Sequence, residues 1–120
     1  LYTEIIADGI HVCDDALKLL FKSKPKDKIL LISDSLPCAH SDIKEFEFAG
    51  EKIFYDGIKA SSKDGTLAGS SKLLPDIIKI IGQKKLFKNE YIENSYVYHN
   101  LSPYGRVTWD DDFNIVSVDY

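Results

Sequence analysis

Four consecutive branched apolar residues at 29–32 form the clearest hydrophobic pattern of the chain, and they lead directly into Ser33 and Asp34. A continuous apolar run this short predicts a strand buried on both faces, as in parallel sheets. An aspartate at the end of such a strand lies where α/β proteins place ligand-binding and catalytic groups. The alternative interpretation is that Asp34 only caps the following turn or helix.

A second, shorter apolar segment at 4–7 predicts another strand, and a helix is predicted between the two. The Asp-Gly pair that follows this segment is typical of a turn, so His11 lies just beyond the strand's end. Asp14 is a favourable N-cap for the helix, whose apolar face contains Ala16, Leu17, Leu20 and Phe21. Strand, helix and strand within about thirty residues predict a βαβ unit with parallel strands.

Beyond these strands the hydrophobic period changes. Partial alternation of apolar and polar residues predicts a small antiparallel β-ribbon at about 43–60. A polar loop and the small-residue stretch 65–71 follow, and they lead into a buried helix with Pro75 in its first turn. Ser70 or Ser71 is the expected N-cap of that helix.

The C-terminal part of the chain has a weaker pattern. Residues 1–87 are interpreted as βα units with the ribbon insert, and residues 88–104, which are aromatic and polar without a clear period, as an irregular connection. Residues 105–120 predict a terminal β-hairpin that turns at consecutive aspartates. These aspartates imitate the start of a calcium loop, but the required glycine is absent, which excludes that site.

Composition and charge narrow the function classes. The 120 residues provide one domain, and the net charge of −4 argues against a nucleic-acid partner. No apolar run approaches the ~20 residues of a membrane span. Cys13 and Cys38 lack the spacing of a metal knuckle, so buried thiols in a cytoplasmic protein are expected. The chain begins with Leu1 and contains no methionine, which suggests a piece of a longer polypeptide.

Three polar features at the ends of predicted elements are candidates for chemistry: His11, Asp34 and the Gly/Ser stretch 65–71, which is predicted to be a loop. Because neighbouring parallel strands end at the same edge of a sheet, His11 and Asp34 are expected to share a site. A histidine and a carboxylate suit acid–base catalysis or metal-assisted hydrolysis. The alternatives are a hydrogen-bonded turn histidine and a simple helix cap. His40 and His99 are expected on the surface.

Four motifs occur in the order and near the spacing seen in one known family. They are IADGIHV at 6–12, LISDS at 31–35, FAG at 48–50 and DGTLAGS at 64–70. In these motifs the chain resembles the N-acetylglucosamine-6-phosphate deacetylases of the amidohydrolase superfamily. The resemblance is strong over residues 4–82 and weak over 83–104, and the ending 106–118 is similar to the family's last strands.

The resemblance implies the C-terminal part of a (β/α)8 barrel, with an inserted β-ribbon and the terminal strands of a small β-sandwich domain. It implies that Asp34 is the catalytic acid/base, which takes a proton from metal-bound water and delivers one to the leaving amine. The residues that it implies for substrate binding are Asp8, Gly9, Ile10, His11, Leu67, Ala68 and Gly69.

The same resemblance implies a substrate, a metal and an incomplete site. The substrate would be N-acetylglucosamine 6-phosphate, cleaved to glucosamine 6-phosphate and acetate by a cytoplasmic homo-oligomer. The divalent metal, zinc or similar, would have its ligands outside this chain, so the 120 residues alone are expected to be inactive. The alternative function is a non-catalytic remnant, or a phosphosugar-binding or assembly module that lacks the metal site.

Overall fold

The structure is a computed structural model that describes residues 1–102 and 105–120. The last two residues of the predicted 88–104 connection, Pro103 and Tyr104, lie outside the described residues. Among those that it describes, no helix is long and apolar enough to cross a membrane.

The N-terminal third forms the predicted βαβ unit. Strand β1 (Thr3–Ile5), helix α1 (Asp14–Ser23) and strand β2 (Ile29–Leu31) follow one another, and β1 pairs with β2 in parallel. All three residues of β2 are buried, as the continuous apolar run predicted. A short 3-10 turn at Lys26–Lys28 leads into β2. The prediction of parallel strands, on which a shared site depends, is confirmed.

Both strands are shorter than predicted, because the chain after each of them turns sharply. Beyond β1, the carboxylate of Asp8 accepts the backbone N–H groups of Ile10 and His11 and thereby stabilises the turn. Helix α1 begins one residue after Cys13, which occupies the N-cap position in place of the predicted Asp14. That position leaves Cys13 exposed, so only Cys38 fulfils the expectation of a buried thiol.

The insert is larger than the predicted ribbon. Strands β3 (Glu45–Phe48), β4 (Glu51–Tyr55), β5 (Ala60–Ser61) and β6 (Leu67–Gly69) form one antiparallel sheet in chain order. The prediction of a loop throughout 65–71 was therefore wrong, because β6 pairs with β5 across an irregular register. The residues buried in the small core of this region are Leu36, Cys38, Ile53 and Ala60.

Two helices complete the main core. Helix α2 (Leu74–Gln83) has Leu73 as its N-cap residue. The prediction that Ser70 or Ser71 caps this helix was therefore wrong. The Asp76 carboxylate instead accepts the N–H of Leu73 at 2.8 Å. The residues buried in the main core are Ala7, Leu17, Phe21, Ile29, Leu31, Ile77, Ile78, Ile81 and Tyr91.

Helix α3 (Glu90–Tyr98) lies where the sequence predicted an irregular connection, so that prediction was wrong over most of its length. The buried Asn94 side chain donates to the carbonyls of Lys26 and Ile29, both at 2.8 Å. Tyr91 stacks on Phe21 with a centroid distance of 4.9 Å. These tertiary contacts stabilise a helix whose own sequence has no strong apolar period.

The terminal strands β7 (Arg106–Trp109) and β8 (Ile115–Asp119) pair as the predicted antiparallel hairpin. The hairpin is attached to α2 through Phe113, whose ring lies against the backbone of Gly82. Phe113 also makes an edge contact with Phe87, with ring centroids 5.7 Å apart. A side chain at position 82 would exclude this ring.

We predict that Gly82→Ala destabilises the protein. A Cβ atom at position 82 would lie 2.5–2.7 Å from three ring carbons of Phe113. Overpacking of this kind costs about 1–3 kcal/mol, whereas the helix propensity of alanine regains only about 1 kcal/mol. Urea denaturation should therefore give a lower free energy of unfolding for this variant.

The matched control is Gln83→Ala, which changes the exposed neighbour on the same helix. Its free energy of unfolding should change by no more than about 0.5 kcal/mol. A Gly82→Ala protein as stable as the parent, or more stable, would show that Phe113 does not pack on α2 as described.

Candidate active site

The candidate site lies beyond the carboxyl ends of the two parallel strands. Ile5 and Leu31 are register partners in β1 and β2. The pairing of these strands ends where the N–H of Ile32 donates to the carbonyl of Ile5 at 3.1 Å. Asp8 and Asp34 stand at equivalent positions after these partners. This is the edge at which α/β proteins hold their ligands.

Asp8 organises the turn after β1. One carboxylate oxygen, Oδ1, accepts the backbone N–H groups of Ile10 at 2.9 Å and His11 at 3.0 Å. Gly9 provides the positive φ, +81°, that the turn requires. The Asp8 side chain is 0% exposed, so its carboxylate serves the interior of the turn.

The second carboxylate oxygen of Asp8, Oδ2, has two side-chain partners. His11 Nδ1 lies at 2.9 Å, and the Ser70 hydroxyl donates to the same oxygen at 3.1 Å. Burial raises the pKa of Asp8, but the hydrogen bonds from the His11 and Ile10 amides and from the His11 ring outweigh burial and hold this pKa below its ordinary value. Asp8 is therefore a buried, ionised acceptor.

This arrangement orients His11. An ionised Asp8 accepts hydrogen bonds only, so Nδ1 of His11 carries a proton and donates it to Oδ2. The other ring nitrogen, Nε2, has no hydrogen-bond partner within the described ranges and is the atom that can contact a ligand. The His11 side chain is 19% exposed and can still reach a ligand. His11 can therefore be both a hydrogen-bonded turn histidine and a ligand-binding residue.

Ser70 joins this turn to the segment after β2. Its N–H donates to the carbonyl of Asp34, and its carbonyl accepts the N–H of Leu36, both at 2.9 Å. Gly69 allows the close approach, because a Cβ there would lie 2.9 Å from the Asp34 carbonyl oxygen. The DGTLAGS motif therefore touches both strand-end segments, which the sequence alone did not indicate.

Asp34 has a strained backbone and an exposed side chain. Its φ of +48° lies in the left-handed region, which costs a residue with a side chain about 1–2 kcal/mol. Within residues 1–102 and 105–120 its carboxylate has no hydrogen-bond or ion-pair partner, so it does not act as the cap considered from the sequence. Five other described non-glycine residues also have a positive φ, so the exposed carboxylate, and not the backbone conformation, makes Asp34 a candidate.

The remaining predicted residues have mixed positions. Leu67 and Ala68 are half-buried within β6, whereas the resemblance implied a loop. His40 and His99 are exposed, as predicted, and His40 Nε2 lies 2.7 Å from Asp76. Sequence reasoning missed the role of Ser70, because a serine before a helix is more commonly its cap.

The described residues do not form a complete metal site. No group of three or more His, Cys, Asp or Glu side chains in the described part of the chain could hold a metal ion. Three such ligands are the usual minimum for a catalytic zinc. The residues present therefore do not fit a metal by themselves.

The known proteins that this chain resembles are deacetylases of amino-sugar phosphates. No protein-family model matches the chain. N-acetylglucosamine-6-phosphate deacetylase of Bacillus subtilis is 44% identical over 68 residues, 57% of this chain and 17% of the relative. The Lysinibacillus sphaericus enzyme of the same name is 25% identical over 121 residues, 97% of this chain and 31% of the relative. N-acetylgalactosamine-6-phosphate deacetylase of a Shewanella strain is 32% identical over 69 residues, 58% and 18% of the two chains.

Solved structures show the same relationship over nearly the whole chain. N-acetylglucosamine-6-phosphate deacetylase from Pasteurella multocida matches with a TM-score of 0.82 and 26% identity, covering 98% of this chain and 35% of that one. The Thermotoga maritima enzyme of the same name matches with a TM-score of 0.86 at 23% identity, covering 98% and 36%, and this likeness concerns the fold alone.

The chain thus has an α/β fold with small sheets, shared with deacetylases of amino-sugar phosphates. Its homologues and structural neighbours include N-acetylglucosamine-6-phosphate deacetylases, so the resemblance found in the four motifs is confirmed. The chain spans from about a sixth to about a third of the length of the curated relatives described, which is consistent with a C-terminal portion.

We predict that Asp8→Asn destabilises the protein at neutral pH. An amide nitrogen at this position would face either the amides of Ile10 and His11 or the His11 ring and Ser70, all of which are donors. Leaving buried donors unpaired costs about 1–3 kcal/mol. The free energy of unfolding from urea titrations at pH 7 should fall by this amount.

The pH dependence gives a second readout. Because folding lowers the pKa of Asp8, the ionised form stabilises the native state above pH 4, and this stabilisation is lost as the pH falls through the folded value. The difference between parent and variant should therefore shrink below about pH 4. Asp15→Asn, at an exposed site, is the control. A pH-independent difference would contradict the ionised state of Asp8.

Proposed function

We propose that the chain is the C-terminal part of a metal-dependent hydrolase. The reaction is the hydrolysis of N-acetylglucosamine 6-phosphate to glucosamine 6-phosphate and acetate. The observation that carries the proposal is the exposed, unpartnered carboxylate of Asp34, held at a strand end in one hydrogen-bonded unit with His11. The similarity to deacetylases over the same region supports it.

The fold proposal follows from the same arrangement. Strands β1 and β2 would be the last two strands of a (β/α)8 barrel, and the β7–β8 hairpin would belong to a small β-sandwich domain. Two parallel strands whose carboxyl ends lead into site-forming loops are the unit from which such barrels build their active sites. An isolated two-stranded sheet also leaves unpaired edges that further strands would cover.

In this proposal Asp34 supplies both proton transfers of amide hydrolysis. Its carboxylate accepts a proton from the water that attacks the acetyl carbonyl carbon. The protonated Asp34 then gives this proton to the amine nitrogen as the C–N bond breaks. The acetyl group leaves as acetic acid, which ionises to acetate in solution, the amine leaves free, and the Asp34 carboxylate is restored. An exposed carboxylate without internal partners is free to exchange protons in this way.

The sugar would be bound beside Asp34 by two segments. On the first, Gly9, Ile10 and the Nε2 atom of His11 face the substrate, and Asp8 supports them from within through its carboxylate. The second is Leu67–Gly69, the edge strand of its sheet, which leaves backbone groups on one side available to sugar hydroxyls.

The divalent metal, zinc or similar, would be bound by residues outside this chain, as would the phosphate. The chain lacks a sufficient ligand cluster in its described ranges, so no step of the chemistry is assigned to a metal held here. Cytoplasmic location, homo-oligomeric assembly and the absence of a nucleic-acid partner stay predictions.

The relatives leave two sugar epimers to compare. They include deacetylases of N-acetylglucosamine 6-phosphate and of N-acetylgalactosamine 6-phosphate, and the higher identity, 44% against 32%, favours the gluco substrate. The second candidate function is a phosphosugar-binding or assembly module without turnover. It is favoured by the lack of a metal-ligand cluster among residues 1–102 and 105–120. Binding of the sugar phosphate without acetate release would distinguish it.

We predict that Asp34→Asn abolishes deacetylation in the full-length protein. Loss of a general acid–base typically lowers kcat by about 10²–10⁴-fold. The metal content, measured by atomic emission, should stay the same, because Asp34 is proposed to move protons and not to bind the ion. Acetate release measures the activity.

Asp42→Asn is the matched control, since Asp42 is an exposed aspartate in the same connection and has no proposed role. It should leave kcat unchanged. An Asp34→Asn enzyme that turns over normally, or that loses its metal, would refute the proton-transfer role.

We further predict that the 120-residue chain alone shows no turnover, with or without added zinc. The proposal places the metal-binding glutamate and two strand-end histidines outside this chain, and a longer product that contains them should release acetate. Turnover by the isolated chain would show that its own residues complete the site.

A further inference from the structure

We infer that Ser70 is a positioning residue that aligns the His11 imidazole with Asp34 and thereby sets how tightly the site binds its sugar. The inference rests on the proposed function, since it concerns the same site. It assigns a role to a side chain that neither the motif comparison nor the proton-transfer chemistry uses.

The Ser70 hydroxyl makes two hydrogen bonds within the protein. The residue is 1% exposed, its Oγ donates to Asp8 Oδ2 at 3.1 Å, and the same Oγ accepts the N–H of Lys72 at 3.0 Å. A hydroxyl has one proton to donate, so these two contacts fix its orientation. Ser70 therefore does not contact the substrate and acts only through its neighbours.

The backbone of the same residue holds the other half of the site. Ser70 N–H binds the Asp34 carbonyl and Ser70 C=O binds the Leu36 N–H, as a short parallel bridge. One residue thus contacts the Asp8 turn through its side chain and the Asp34 segment through its main chain. Both contacts are far from it in sequence, so no local interaction replaces them.

Removing the hydroxyl separates these two halves. Ser70 and His11 bind the same oxygen, Asp8 Oδ2, so without Ser70 the carboxylate is held on that side by His11 alone. The imidazole, which is bonded to that oxygen, then loses its fixed position. The backbone bonds to Asp34 and Leu36 do not involve the hydroxyl and persist. Sugar binding should therefore weaken more than proton transfer.

The test compares two neighbouring buried serines in the full-length enzyme. Ser70→Ala should raise KM for N-acetylglucosamine 6-phosphate about tenfold with kcat changed less than about twofold. Ser71→Ala is the control, because Ser71 is 4% exposed and its Oγ donates to the Ile58 carbonyl at 3.0 Å, away from Asp8. It should leave KM unchanged although it also loses one buried hydrogen bond.

Conservative variants keep the test decisive. Ser70→Thr retains the hydroxyl and should recover most of the affinity. If Ser70→Ala does not fold, Ser70→Cys, which keeps the volume but is a weak donor, should show the same rise in KM. Equal KM values for the Ser70→Ala or Ser70→Cys enzyme and the parent would overturn the inference.

A double-mutant cycle separates positioning from general damage. His11→Ala should raise KM by itself, and adding Ser70→Ala to it should change KM less than about twofold, because the group that Ser70 positions is already absent. Fully additive effects would show that Ser70 does not act through His11 and would overturn the inference.

The two proposals fail in different ways. If the parent enzyme releases acetate, Asp34→Asn does not, and the Ser70 variants match Ser71→Ala, only the role of Ser70 is wrong. If the parent shows no turnover, the proposed function fails, and calorimetric binding of N-acetylglucosamine 6-phosphate decides the role of Ser70. A weaker affinity for Ser70→Ala alone would support it, whereas equal affinities or no binding by the parent would overturn it.

Discussion

The geometry of the candidate site depends on one buried hydrogen bond, from the Ser70 hydroxyl to the carboxylate of Asp8. A buried carboxylate is stable only when hydrogen bonds replace the water that it has lost, and Asp8 obtains them from Ile10, His11 and Ser70. The first two donors come from its own turn. Ser70 connects this turn to the end of the neighbouring strand β2, because its backbone is hydrogen-bonded to the segment that carries Asp34.

The patterns that succeeded in the sequence analysis are local ones. The apolar run at 29–32 predicted a buried strand, and turn residues predicted the terminal hairpin. Both predictions depend only on residues that are adjacent in the sequence. Helix α3 was missed because its anchor, Asn94, binds carbonyls of Lys26 and Ile29 that are distant in sequence. Strand β6 was missed for a different reason: its partner β5 is near in sequence, but the small residues Ala68 and Gly69 have low strand propensity and give no strand pattern.

In the candidate site, too, the features set by local sequence were predicted and those set by tertiary contacts were not. Motif position identified His11 and Asp34 as residues at strand ends, and the parallel pairing of β1 and β2 brought those ends to one edge. The sequence did not reveal that Asp8 faces inward or that Ser70 links the two turns, because both facts require the tertiary structure. The positive φ of Asp34 could not be predicted either, as aspartate is only tolerant of that conformation.

The described residues also leave several surfaces uncovered, and the chain spans a minor part of its relatives. Asp34 faces solvent, the parallel sheet has unpaired edges, and the terminal hairpin exposes Val107, Val116 and Val118. Apolar side chains exposed together on one small hairpin are typical of a surface that another part of a protein covers. A complete barrel and a complete sandwich would cover these surfaces.

A crystal structure of the full-length protein with N-acetylglucosamine 6-phosphate bound tests the central claim most directly. We expect the acetamido group beside the Asp34 carboxylate and Nε2 of His11 within hydrogen-bond distance of the sugar. In the same structure Nδ1 should remain on Asp8, and Asp8 on Ser70. A sugar bound away from the ends of β1 and β2, or an Asp34 carboxylate directed away from the acetamido group, would contradict the account.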